Sequence, residues 1–223
     1  MSTFGLMSNN SDLKRLVAMG YDEIADKYMA RYGSSSVWDR WLAELTNLVS
    51  EQRCARALDL GCGAGVPVAR HLTALGHYVL GVDGSARQIA LARRNAPLAE
   101  FIHGDMTTIE FPTASFDAVA AFYSITHVPR SEHARLLAQI AQWLRPGGVL
   151  VGSLGAESLS DWQGEWMGAE MFFSHYDAAT NIVLLREAGF AIERMEEIDQ
   201  DNEDGRFLSI VARRPAAPVR VCR

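Results

Sequence analysis

The sequence is short of lysine. Lys14 and Lys27 are the only two among 21 basic residues, and the formal net charge is −6. Nucleic-acid binding rests on phosphate neutralisation and shows a basic face. The balance therefore argues against DNA, tRNA or rRNA as a partner. Cysteine is scarce as well. Cys54, Cys62 and Cys222 are too few and too badly spaced for a zinc site or a disulfide framework. His71, His77, His103 and His133 lack metal-ligand spacing, so no metal is expected. No apolar run reaches the ~20 residues of a membrane helix. Met1 to Ser11 lacks the basic start and apolar stretch of a signal peptide. These absences leave a soluble chain with no membrane partner, expected in the cytoplasm as a monomer or homodimer.

What the chain does have is core and glycine. At 223 residues and 48% hydrophobic content it makes one good-sized domain. The informative stretch is Ala57-Leu58-Asp59-Leu60-Gly61-Cys62-Gly63-Ala64-Gly65-Val66-Pro67-Val68. An apolar run ends near an acid, three glycines alternate, and a helix-like sequence opens. Pro67 suits a first helical turn, whose N–H groups lack partners. Strand, tight loop and helix N-terminus form a nucleotide-type site at the carboxyl edge of a parallel sheet. The dinucleotide fingerprint needs a small third residue, but that place falls on Val66 or Val68. No Lys-Ser/Thr pair follows, so a P-loop fails too. Asp59 would repel a pyrophosphate and welcome an amino-bearing ligand. Tyr78-Val79-Leu80-Gly81-Val82-Asp83 is a second apolar run ending in a carboxylate, of the kind that binds ribose hydroxyls. One acid before the loop and one for ribose describe S-adenosylmethionine, a nucleoside without phosphates that carries an amino-acid tail and a sulfonium.

At these residues the chain resembles the class I S-adenosylmethionine-dependent methyltransferases. Ala57 to Gly65 is similar to their first motif, and Val82-Asp83-Gly84-Ser85 to the acidic end of their second strand. His103-Gly104-Asp105-Met106 resembles the adenine-contacting turn. Phe116-Asp117-Ala118-Val119 resembles the fourth strand, and Leu144-Arg145-Pro146-Gly147-Gly148 the turn before the fifth. The resemblance runs in order over roughly residues 50 to 215. It implies a Rossmann-like α/β fold: a mostly parallel seven-stranded sheet, an antiparallel last strand, and helices on both faces. It also implies cofactor contacts at Gly61, Cys62, Gly63, Gly65, Asp59, Asp83, Gly84, Ser85, Asp105 and Met106, with Phe122 against the cofactor. Tyr21 to Tyr28 fits the family's Tyr-Asp-x-x-Ala-x-x-Tyr, in which a Tyr often lies against the cofactor; Tyr28 is expected there, and Tyr21 is expected among the acceptor-binding residues.

Taken in order, residues 12–31 and 37–50 carry apolar residues at helical spacing, with Gly20 breaking the first into two pieces. Residues 12–50 are expected to pack on the sheet or to form a lid over the cofactor. Strands are expected at 56–60, 78–82, 99–103, 116–122 and 148–153, and helices at 66–75, 85–95, 131–144 and 178–188. Ser85 with Gln88 reads as a capping box; Ser131 and Asp177 read as N-caps. Gly155 to Tyr176 is expected as a long aromatic loop capping the acceptor through Trp162, Trp166, Met171 and Phe173. A closing hairpin joins 190–198 to 206–213. The domain ends at 214, and 215–223 is a loose tail.

Methyl transfer is an in-line displacement from a good leaving group. The protein must align the partners and see the acceptor deprotonated. His127, just past the fourth strand, is the first candidate base, and His175 in the aromatic segment is the second; each has a plain structural alternative. The Ala121-Phe122-Tyr123-Ser124 sequence lacks the Asn/Asp-Pro-Pro-Tyr/Phe of base and amide methylases. A small-molecule acceptor, methylated on oxygen or nitrogen, remains. The rival readings are a nicotinamide-dependent oxidoreductase, a non-catalytic methyltransferase-like binding protein, and a cofactor-holding enzyme of the same fold that catalyses a non-methyl reaction.

Overall fold

The structure is a computed structural model that describes residues 9–33, 39–50, 54–199 and 205–216. Trp38, the break at 34–36, the turn residues 201–204, Cys222 and the tail from 217 lie outside the described residues.

The apolar runs form the sheet. β1 (Arg56–Leu60), β2 (Tyr78–Asp83), β3 (Glu100–His103), β4 (Phe116–Ala121) and β5 (Leu144–Gly155) are parallel neighbours in the order β3-β2-β1-β4-β5. β9 (Arg206–Arg213) then pairs antiparallel with β5 and with the edge strand β8 (Ala191–Asp199). β4 is buried along its length, as a central parallel strand covered on both faces must be. The strand order reverses between β1 and its neighbours β2 and β4, which opens a crevice at their carboxyl ends.

Helices close both faces. On one, Leu58, Leu60 and Val119 pack against α5 (His133–Trp143) and α6 (Ala178–Glu187) through Leu137, Ile140 and Leu185. On the other, Ala57, Val79 and Val151 meet α2 (Asp39–Ser50) and α3 (Val68–Ala74) through Trp41, Leu45 and Leu72. Each such large side chain contributes roughly 1.5–3 kcal/mol by leaving water. α2 therefore belongs to the core and is no part of a lid. α4 (Ala86–Asn95) completes the set; Ser85 Oγ accepts from Gln88 N at 3.0 Å. The Gln88 side chain does not return the bond, because Ser85 N already donates to Asp83 Oδ1. Asp177 caps α6 as expected, accepting from Thr180 N at 2.8 Å. Ser131 does not cap α5: a 3-10 turn at Arg130–Glu132 intervenes, and Ser131 Oγ accepts from Asn10 instead.

Two expectations are corrected. α1 (Asn10–Tyr32) is one unbroken helix that runs through Gly20. There the glycine serves close packing: a Cβ would lie 2.7 Å from the Glu170 carbonyl and 2.9 Å from Met171 Sδ. What α1 meets is the second correction. Residues 155–176 are not a loop. β5 runs on to Gly155, and β6 (Leu159–Trp166) pairs with β7 (Ala169–His175) in an antiparallel hairpin. Its two turn residues, Met167 and Gly168, have φ of 54° and 94°, the left-handed pair of a type I′ turn. The hairpin packs under α1 through Ile24, Ala169 and Met171.

Candidate active site

The crevice is shaped by β1 and β2. After Leu60 the chain turns sharply, and Gly61 and Cys62 both donate to the Val82 carbonyl, at 2.8 and 3.0 Å. Gly61 has φ of 72°, and a Cβ there would overlap Ser124 at 2.2 Å, so both conformation and space demand glycine. Asp83 ties the loop down: Oδ2 accepts from Gly63 N and Oδ1 from Ser85 N, both at 2.8 Å. Burial raises the Asp83 carboxyl above its ordinary range, and the two N–H donors partly offset this.

A cavity of about 360 Å³ lies over this loop. Its floor is Gly61, Gly63, Asp83, Gly84 and Ser85; one end is Asp105 and Met106, the other Phe122, Tyr123, Ser124 and His127. α1 forms the roof with Lys14, Ala18, Tyr21 and Tyr28. A side pocket of about 50 Å³ shares Tyr28, Gly61, Gly63 and Phe122 with it and adds Asp59 and Cys62. The volume lies within the range of small-molecule sites.

Asp59 stands at the bottom of the side pocket, on the α2 and α3 side of β1. It is 4% exposed, and among the described residues no cation pairs with it. Burial, and then the nearby Asp83, push its carboxyl up to about 7. Gln88 is also buried in the cavity wall, and among the described residues neither polar atom of its amide has a partner. Natural interiors leave few such groups unpaired. A cavity holding an uncompensated carboxylate and an orphan amide fits a ligand that brings a cation and hydrogen-bonding groups.

At the other end, α1 is fastened to the floor. Lys14 Nζ reaches Asp105 at 2.8 Å, Glu132 at 3.1 Å and Thr107 Oγ1 at 2.6 Å. Burial would raise the Asp105 carboxyl, but the Lys14 and Thr107 hydrogen bonds leave it below its ordinary value. Asp22 accepts from Ser85 Oγ and Arg87 N, at 2.6 and 2.9 Å, at the start of α4.

Beyond β4, His127 is buried, and its Nδ1 lies 3.0 Å from the Phe172 carbonyl. A carbonyl only accepts, so Nδ1 holds the proton and Nε2 carries the lone pair. Tyr21 Oη lies 2.9 Å from Nε2 and donates to it. Burial drops the imidazole to about 4, against a smaller opposing effect of the Phe172 bond. His175 is elsewhere, bonded to the Glu157 carbonyl at the root of the hairpin. Trp162, Trp166, Met171 and Phe173 line neither cavity. Met171 is fully buried beneath Gly20, and Phe173 backs the His127 ring at 4.4 Å between centroids. Trp166 meets Phe173 edge-on and Trp162 meets it tilted, each at 5.7 Å between centroids. Gly65 stands behind the loop, against Ala92 and Phe101. Sequence reasoning missed Lys14, Asp22 and Gln88; the scarcity of lysine was the one signal that could have marked Lys14.

A family model described as "Methyltransferase domain" matches residues 57–148. The 27-O-demethylrifamycin SV methyltransferase of Amycolatopsis mediterranei is 31% identical over 216 residues, 82% of this chain and 76% of the relative. The demethylmenaquinone methyltransferase of Renibacterium salmoninarum is 31% identical over 140 residues, 60% of this chain; the chain spans 56% of that relative. Among solved structures, a 1,6-didemethyltoxoflavin N1-methyltransferase from Burkholderia thailandensis, with its substrate and S-adenosylhomocysteine bound, superimposes with a TM-score of 0.74 at 18% identity. That match covers 95% of this chain and 92% of the neighbour, and it shows a shared fold.

Proposed function

The chain belongs to the class I S-adenosylmethionine-dependent methyltransferases, and we propose that it methylates an oxygen or nitrogen of a small-molecule acceptor with His127 as the base. When bound, S-adenosylmethionine supplies an electrophilic methyl carbon on a sulfonium, whose bond to carbon breaks with the electron pair left on sulfur.

The observation that carries the assignment of residues is Asp59: a buried carboxylate that no cation pairs with among the described residues, beside a cavity floored by glycine and a second acid. Such a pocket rejects pyrophosphate and rewards an ammonium group. Asp59, with Cys62 beside it, holds the amino end of the cofactor. Asp83, flanked by Gly84 and Ser85, takes the ribose hydroxyls. Asp105 takes the adenine amino group next to Met106, while Tyr28 and Phe122 flank the middle. His127 faces the reacting end and His175 does not, so the base role goes to His127 alone. The aromatic hairpin backs Tyr21 and His127 from behind. No observation favours the nicotinamide reading. The acidic balance fits a small-molecule acceptor better than a nucleic acid. Among the described residues no helix is long and apolar enough to cross a membrane.

Isothermal titration with S-adenosylhomocysteine, followed by product mass spectrometry on an acceptor panel, tests this. Micromolar binding and a 14-dalton gain on one acceptor are expected. Binding without any turnover would favour the non-catalytic reading, and no binding at millimolar ligand would refute both.

A further inference from the structure

Resting on the methyl-transfer reading above, we propose that the acceptor is an uncharged phenol or enol and that Tyr21 relays its proton to His127. The first argument is the hydrogen-bond direction. His127 Nδ1 is committed to the Phe172 carbonyl, and its one basic lone pair, on Nε2, faces Tyr21 Oη at 2.9 Å. Tyr21 lines the cavity. A proton leaving the acceptor therefore reaches Nε2 through the Tyr21 oxygen. The acceptor O–H proton passes to Tyr21 Oη as the Tyr21 proton passes to Nε2. The acceptor oxygen keeps the electron pair and uses it for the new carbon–oxygen bond. His127 ends as an imidazolium and Tyr21 as a neutral phenol.

The second argument is where charge lies. The charged groups on the cavity wall gather at the nucleoside end: Lys14 is matched by Asp105 and Glu132, and Arg15 by Asp12. Around His127 the described wall is Tyr28, Phe122, Tyr123, Ser124 and Val128, without a charge. A carboxylate or ammonium on the acceptor would be buried there unpaired, at a cost of several kcal/mol. The third argument is basicity and shape. An imidazole held near 4 is neutral and ready at pH 7 but weak. Acidic hydroxyls, those conjugated to a ring or double bond, suit it better than aliphatic alcohols. Aromatic walls favour a flat partner. The relay is also held rigidly: Tyr21 meets His127 edge-on at 5.2 Å and Tyr28 at 5.3 Å, and Phe173 packs behind His127.

The test uses the full chain with S-adenosylmethionine and matched acceptors: 7-hydroxycoumarin, 4-hydroxybenzoate, tyramine and cyclohexanol. A methyl ether is expected on 7-hydroxycoumarin, with kcat/KM at least about 10-fold above the charged and aliphatic acceptors. Tyr21→Phe should lower kcat about 100-fold, a common size for lost acid–base catalysis, while S-adenosylhomocysteine affinity stays near wild type and Tm falls only by the few degrees that an unpaired His127 Nε2 costs. With a nitrophenol already ionised at pH 8, the cost of burying its charge falls on KM, and at saturating acceptor the kcat loss should shrink to a few-fold, since no proton needs to move. An equal loss on both acceptors would make Tyr21 merely structural and overturn the relay. Methylation of tyramine nitrogen or of a carboxylate, or of no phenol at all, would overturn the acceptor class. The methyl-transfer reading would survive either outcome as long as S-adenosylhomocysteine binds and some acceptor gains a methyl group, and would fall if either fails.

Discussion

Asp59→Asn separates what the buried carboxylate costs from what it does. A carboxyl moved from 3.8 to about 7 is penalised by roughly 4 kcal/mol when ionised at pH 8, taken as an upper bound. The folded state binds the proton more tightly than the unfolded chain. Stability from this group is therefore fully present below pH about 4 and lost as pH rises through about 7. The amide has no such dependence. Without cofactor, the Asn variant should be more stable than wild type at pH 8, by roughly 2–4 kcal/mol, and equal to it near pH 4. Cofactor binding should reverse the order. The ammonium group of S-adenosylhomocysteine restores the ionised form, so wild-type affinity should rise from pH 6 to pH 8 with release of a proton. Losing one partner of a buried charge pair costs about 2–5 kcal/mol, so the variant should bind at least about 30-fold more weakly at pH 8, with a flat pH profile. Thermal denaturation at pH 4.5 and 8, and titration calorimetry in two buffers of different ionisation enthalpy, measure both. Equal affinities at pH 8, or a variant that keeps the proton release, would refute the reasoning.

Three further outcomes follow from the same geometry. Gly20→Ala should lower Tm and loosen α1, at about 1–3 kcal/mol for overpacking against Glu170 and Met171; thermal melts check it, and an unchanged Tm would mean that the helix does not sit on β7. Lys14→Ala removes the ammonium between the Asp105 and Glu132 carboxylates, whose side chains are 32% and 13% exposed. S-adenosylhomocysteine should then bind roughly 10-fold more weakly, with less effect at high salt, as calorimetry would record. The kcat of the wild type should stay flat from pH 8 to about pH 5 and fall as His127 gains a proton near 4; a limb at about 6.5 would show that His127 is solvated or is not the base.

Much of the site could be read from the chain because its signals are local. Asp59 and Asp83 each close or nearly close an apolar strand run, and Gly61 follows within two residues of Asp59. What stayed hidden depends on contacts far apart in sequence. Gly20 looked like a helix break because the β7 carbonyl that demands it comes from Glu170. Lys14 and Asp105 meet only when α1 folds over the sheet. The hairpin hid for local reasons. Trp162 and Trp166 do alternate with Gln163 and Glu165, but Asp161, at φ of 51°, breaks the register near the strand start. Met167 occupies a left-handed turn position usually held by Asn, Asp or Gly. Ser131 misled as a cap because an extra 3-10 turn precedes the helix.

The most direct test is a crystal structure with S-adenosylhomocysteine. The adenine should lie between Asp105 and Met106, the ribose hydroxyls on Asp83, the amino group toward Asp59, and the sulfur should face the Tyr21–His127 pair. A nucleoside seated elsewhere, or a dinucleotide whose pyrophosphate fills the turn after Leu60, would contradict it.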